Sequence, residues 1–95
     1  MKYLQKQLNK TQKRQTENRN ELRQSLAYLD WSQKELAELQ SLLKIAKMRE
    51  VRESLRELVE SKKDDVDFMK DDVAGAKEDI EKTAKEIADI KEEMK

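Results

Sequence analysis

Cysteine, histidine and proline are all missing from this 95-residue chain, glycine occurs once, and one Trp, two Tyr and one Phe supply its 4% aromatic content. Without Cys there are no disulfide staples, and without Cys or His there are no thiolate or imidazole metal sites and no Ser/His or Cys/His nucleophile pairs. The shortage of Gly, Pro and aromatics excludes a β-sandwich or barrel, which needs regular turn residues and strands rich in aromatic and β-branched side chains. No stretch approaches the roughly 20 apolar residues of a membrane helix, and Met1-Lys2-Tyr3-Leu4-Gln5-Lys6 lacks the apolar core of a signal peptide. The expected location is therefore cytoplasmic, nuclear or inside a particle, with no classical secretion and no membrane partner.

What is present is charge. Asp, Glu, Lys and Arg make up 44% of the chain against 36% apolar, with a net charge of zero. Such a composition belongs to coiled coils and long helices rather than compact enzymes. Disorder is the competing reading, and the periodic apolar residues argue against it.

Those residues follow a seven-residue repeat in two phases. In the first, Met1, Leu8, Gln15, Leu22, Leu29, Leu36 and Leu43 occupy a, and Leu4, Thr11, Asn18, Ser25, Ser32, Leu39 and Ala46 occupy d. In the second, a is Ile45, Arg52, Val59, Val66, Val73, Ile80, Ile87 and Met94, and d is Met48, Leu55, Lys62, Met69, Ala76, Thr83 and Ile90. The phases are offset by two residues. At about 100° per residue this carries the stripe to nearly the opposite side of a straight helix.

A chain reversal near residues 46–50 lets the two stripes face each other. Charge agrees: residues 1–47 carry ten Lys/Arg against five Asp/Glu (+5), and residues 48–95 carry eleven against sixteen (−5). Folding back sets the basic half, 1–47, beside the acidic half, 48–95, within one helical domain; an antiparallel dimer of straight helices satisfies the charge equally well, and a long rod-like oligomer is a further alternative. The fold class expected is all-α, an antiparallel coiled coil or helical bundle of two long helices. Position a then faces d, with partners whose numbers sum to about 98: Leu29 with Met69, Ser32 with Val66, Asn18 with Ile80.

Two features favour an alternative three-helix bundle with breaks near 30–32 and 61–65. Ser32-Gln33-Lys34-Glu35 fits a capping box with Trp31 and Leu36 as its hydrophobic staple, and Ser61-Lys62-Lys63-Asp64-Asp65 could interrupt a second helix. The proposed reversal, by contrast, contains no Gly, Pro, Asn or Asp.

Few constellations carry chemistry. Asp64, Asp65, Asp67, Asp71 and Asp72 lack the ligand spacing and the glycine of an EF-hand, and read as a solvated helix face; no metal or cofactor is expected. Lys6, Lys10, Lys13 and Arg14 form a basic stripe that internal ion pairing explains better than nucleic acid, given zero net charge. Tyr28 and Trp31 share a helix face outside the a row, a pattern of interface anchors. Residues 9–21 contain no apolar side chain and read as a solvated segment or a polar patch that sets register.

Residues 33–59, with Leu36, Leu42, Leu43, Ala46, Val51, Arg52 and Leu55, loosely resemble the N-terminal helical hairpin of Siah-interacting proteins. Met48 departs from that pattern where a basic residue is preferred, and the family is not assigned.

The function expected is a non-enzymatic coiled-coil interaction module, acting as an assembly, scaffold or adaptor element through helix packing with a protein partner or a second copy; homo-oligomerisation is the favoured form. Its candidate surface is Tyr28, Trp31, Lys6, Lys10, Lys13 and Arg14. The alternatives are nucleic-acid binding through the basic half and inhibition of a partner through the acidic half.

Overall fold

Two helices account for almost the whole chain in the computed structural model, which describes residues 2–95. Helix α1 spans Lys2–Ile45 and helix α2 spans Arg49–Glu93. They pack against each other as an all-α antiparallel hairpin. Neither helix is long and apolar enough to cross a membrane.

The three-helix alternative is overturned, because α1 runs unbroken through 30–32 and α2 through 61–65. Ser32 is not a helix cap. It sits in mid-helix with 0% of its surface exposed, and its hydroxyl donates to Met69 Sδ at 3.3 Å on the opposite helix. Ser-x-x-Glu caps a helix only where the backbone leaves helical geometry, and the apolar repeat on both sides of Ser32 keeps the chain wound.

The reversal falls at Ala46, Lys47 and Met48, inside the range expected. It is made without any positive-φ residue. Arg52 supplies what the link lacks. Its backbone N–H donates to Met48 O at 2.9 Å, opening α2, and its guanidinium donates to Ala46 O at 3.1 Å, satisfying a carbonyl left over at the end of α1.

Burial follows the two heptad phases closely. Apart from Gln7 and Glu35, every described residue that is buried or half-buried occupies one of the predicted a or d positions. The exceptions in the other direction are Ile45 and Met48, which are 72% and 67% exposed. Both were assigned to the second phase, and both fall at the reversal, where no opposing helix covers them. Met1 lies outside the described residues.

The chain divides into two compact units, each pairing a segment of α1 with a segment of α2: Met1–Gln24 with Val73–Lys95, and Ser25–Asp72. In the first, Leu8, Val73 and Ala76 are buried beside polar Thr11, Gln15 and Thr83. In the second, Val59 and Val66 are buried, and small Ser32 is buried in the layer of Val66. Hydrogen bonds locate the register in each. Gln15 Nε2 donates to Ile80 O at 3.2 Å, Asn18 Nδ2 donates to Thr83 Oγ1 at 2.9 Å, and Ser32 reaches Met69. Each bond runs diagonally between adjacent predicted layers, so the layers themselves hold. The polar stretch 9–21 is thus continuous helix, and its Thr11, Gln15 and Asn18 form part of the packed interface.

Gly75 lies within α2 on an exposed position, and a methyl group built there meets no atom within 4 Å. Glycine costs about 1 kcal/mol relative to alanine in a helix interior. Gly75→Ala is therefore expected to raise the melting temperature by about 4–8 °C in a circular dichroism melt.

Candidate functional site

The residues singled out from the sequence fall into two places. Tyr28 and Trp31 belong to the Ser25–Asp72 unit, and Lys6, Lys10, Lys13 and Arg14 to the unit of Met1–Gln24 with Val73–Lys95. All six are exposed. Within its own unit, Arg14 forms an ion pair with Glu86 of α2, and Lys10 and Arg14 share a shallow depression of about 390 Å³ with Glu86 and Asp89. Half of the basic stripe therefore has acidic neighbours from its own chain.

Tyr28 and Trp31, three residues apart on α1, bring their ring centroids to 5.6 Å at a tilt of 59°. Lys62 of α2 comes up beneath them. It occupies a core d position, where its aliphatic stem packs and its ammonium emerges at the flank, leaving the side chain 16% exposed. There Nζ sits 4.7 Å from the Trp31 ring centroid and 2.5 Å from a Glu35 carboxylate oxygen. The Glu35 carboxylate holds the lysine above its ordinary value of 10.5, against a smaller opposing effect of burial. Glu35, which the capping-box reading placed at the start of a helix, instead ties α1 to α2.

A raised lysine pKa means that the folded state favours the charged form. The stability this contributes is complete below the unfolded lysine value and is lost as pH climbs through the higher folded one. We expect the stability difference between wild type and Lys62→Met to be constant from neutral pH to about pH 10 and to shrink above it, read from urea melts at several pH values. A difference that stays unchanged above about pH 10 would show that the charge of Lys62 contributes nothing to stability.

Beyond this cluster lies a wider apolar surface. Among the described residues ten large apolar side chains are exposed, and all but Tyr3 lie in the Ser25–Asp72 unit. Leu42, Val51 and Leu58 occupy g positions, and Trp31 and Phe68 occupy c. These positions flank the seam rather than form it. Leu42, Ile45 and Met48, next to the reversal, stand in the open. The readable signal was the recurrence of leucine, valine and aromatics at g and c, outside the seam, in both helices. Leu42 and Ile45, with Ala37, Glu38 and Ser41, also line a shallow depression of about 470 Å³ on α1.

Asp64, Asp65, Asp67, Asp71 and Asp72 are all exposed, and no group of three or more acidic side chains converges as a cation site among the described residues.

Fold and surface together define a two-helix antiparallel hairpin with an apolar, aromatic flank on its Ser25–Asp72 unit. No family model matches the chain, and no curated protein or solved structure matches it.

Proposed function

We propose that this chain is a non-enzymatic interaction module that acts as an assembly, scaffold or adaptor element, engaging a protein partner by helix packing on the Ser25–Asp72 unit. The observation that carries the reading is the uncovered apolar surface. A globular monomer of 11.3 kDa exposes about 5,700 Å², whereas this chain exposes 7605 Å². The excess is larger than the roughly 800 Å² that one partner contributes to a standard protein interface. Its concentration on one unit distinguishes a docking surface from the scattered apolar atoms of any protein surface. Support for a non-catalytic role comes from the lack of His and Cys and from carboxylates that stand in solvent.

A photo-crosslinking residue placed at Trp31 is expected to give a discrete protein adduct in the cells the chain comes from, and one placed at Lys13 none. A nucleic-acid adduct at Lys13, with nothing at Trp31, would overturn the reading in favour of the basic stripe.

A further inference from the structure

We infer that the occupant of this flank is a single amphipathic helix of basic character from another protein, which completes a three-helix bundle over the Ser25–Asp72 unit. This rests on the interaction-module reading and adds the chemistry of the partner.

The first step is geometric. On α1, Tyr28, Trp31, Leu42 and Ile45 follow one another at g and c positions, which places them along one flank. On α2, Val51, Leu58 and Phe68 do the same. In an antiparallel pair the g positions of the two helices lie on the same side of the seam, the relation that Arg14 and Glu86 hold elsewhere in the hairpin. Both apolar rows therefore border one groove. Lys62 confirms the side on which α1 presents its row, since it leaves the core towards Glu35 and Trp31. From Tyr28 to Ile45 the groove runs about 25 Å, the length of a helix of about 17 residues. A helix laid there reads the groove through apolar anchors three and four residues apart.

Charge then selects the occupant. The g and c positions of this unit carry no Lys or Arg, and their charged residues are Glu35, Glu38, Asp65 and Asp72. Lys62 neutralises Glu35. Glu38, Asp65 and Asp72 remain exposed. A second copy docking by its own g/c flank would bring these acids against their equivalents. Its opposite flank, at e and b, mixes Lys44, Lys47, Arg49, Arg56, Lys63 and Lys70 with Asp30, Glu53, Glu60 and Asp67, and offers only Leu26 and Ala37 as apolar contacts. Neither flank of a second copy provides apolar surface and positive charge together; a basic amphipathic helix provides both.

The test uses the full chain and a synthetic helical peptide of about 18 residues with leucines on one face and Lys/Arg bordering them, against a twin with every Lys/Arg changed to Glu. Trp31, the only tryptophan, reports binding by its emission. At low salt the basic peptide is expected to bind one to one and roughly tenfold or more tighter than its twin. Leu42→Glu with Leu58→Glu should abolish binding while leaving helicity intact, because both side chains are exposed. Glu38→Lys with Asp65→Lys and Asp72→Lys should reverse the preference. Equal binding of the two peptides, or a preference that the triple variant leaves unchanged, overturns the basic partner and leaves the interaction module standing. A doubled mass in light scattering, abolished by the leucine variant and accompanied by no peptide binding, assigns the flank to a second copy and overturns the inference in that direction. A monomer that binds neither peptide removes the inference, while the crosslink at Trp31 tests the module separately.

Discussion

Val66→Asp is expected to abolish cooperative folding or to lower the melting temperature by at least about 15 °C, the largest loss we anticipate from a single substitution. Val66 is 5% exposed and is one of the few buried apolar side chains, with Leu8, Val59, Val73 and Ala76. Ser32 faces Val66 across the seam, with its hydroxyl already committed to Met69. Lys62, one turn away on the same face, already directs its ammonium to Glu35, so an Asp carboxylate at this depth would be left without a partner, and an uncompensated buried charge costs about 3–5 kcal/mol. Domains of this length hold about 5–14 kcal/mol in total, and a hairpin whose described residues include five buried apolar side chains belongs at the bottom of that range. Phe68→Asp, two residues away but 67% exposed, is the matched control and should move the midpoint by no more than a few degrees. Far-UV circular dichroism melts of the two variants would decide. A stable Val66→Asp protein would mean that the seam is not the source of the hairpin's stability.

The seam was legible in the sequence because a coiled coil writes its buried stripe directly into residue spacing. The two-residue offset between Leu43 and Ile45 announced a reversal, and the opposite charges of the halves announced an antiparallel one. The register could be stated as pairs because a meets d once direction is known. The chemistry of the turn was not legible. It relies on Arg52, six residues from the carbonyl it caps, rather than on a local turn residue. Periodicity gives no hint of a side chain reaching back over a link.

The flank was partly legible. Tyr28 and Trp31 stood out because aromatics are rare in this chain. Leu42, Ile45, Val51 and Leu58 did not, because apolar residues crowding a reversal look like the end of a core. Two helices cannot surround them, and only the fold shows which side stays open. The false capping box at Ser32 has a related cause: a small polar residue at a seam position resembles a cap in sequence, while in the structure its size lets α2 approach closely. Lys62, which the three-helix reading placed at a helix interruption, is instead the residue that joins the core to the aromatic pair.

The same hairpin holds a polar layer that destabilises it, and Gln15→Leu is expected to raise the melting temperature by about 5–15 °C. Gln15 is 6% exposed. Its Nε2 donates to Ile80 O, but its Oε1 is buried with no partner. A buried acceptor left unpaired costs about 1–3 kcal/mol, while a single neutral hydrogen bond contributes about 1 kcal/mol. The bond lost is the smaller of the two, since Ile80 O already accepts within its own helix, and leucine adds apolar burial at an a position. Nearby, Asn18 donates to Thr83 Oγ1, which in turn donates to Asp79 O at 2.6 Å. That chain is fully satisfied in one alignment of the helices, and a slip by one heptad would break it. Polar residues at seam positions exchange stability for a single register. Gln15→Leu combined with Asn18→Leu should therefore melt higher still and broaden the distance distribution between spin labels at Lys10 and Asp89. A double variant that melts higher with an unchanged narrow distribution would show that the apolar layers alone set the alignment; a lower melting temperature for Gln15→Leu would show that an ordered water serves Oε1.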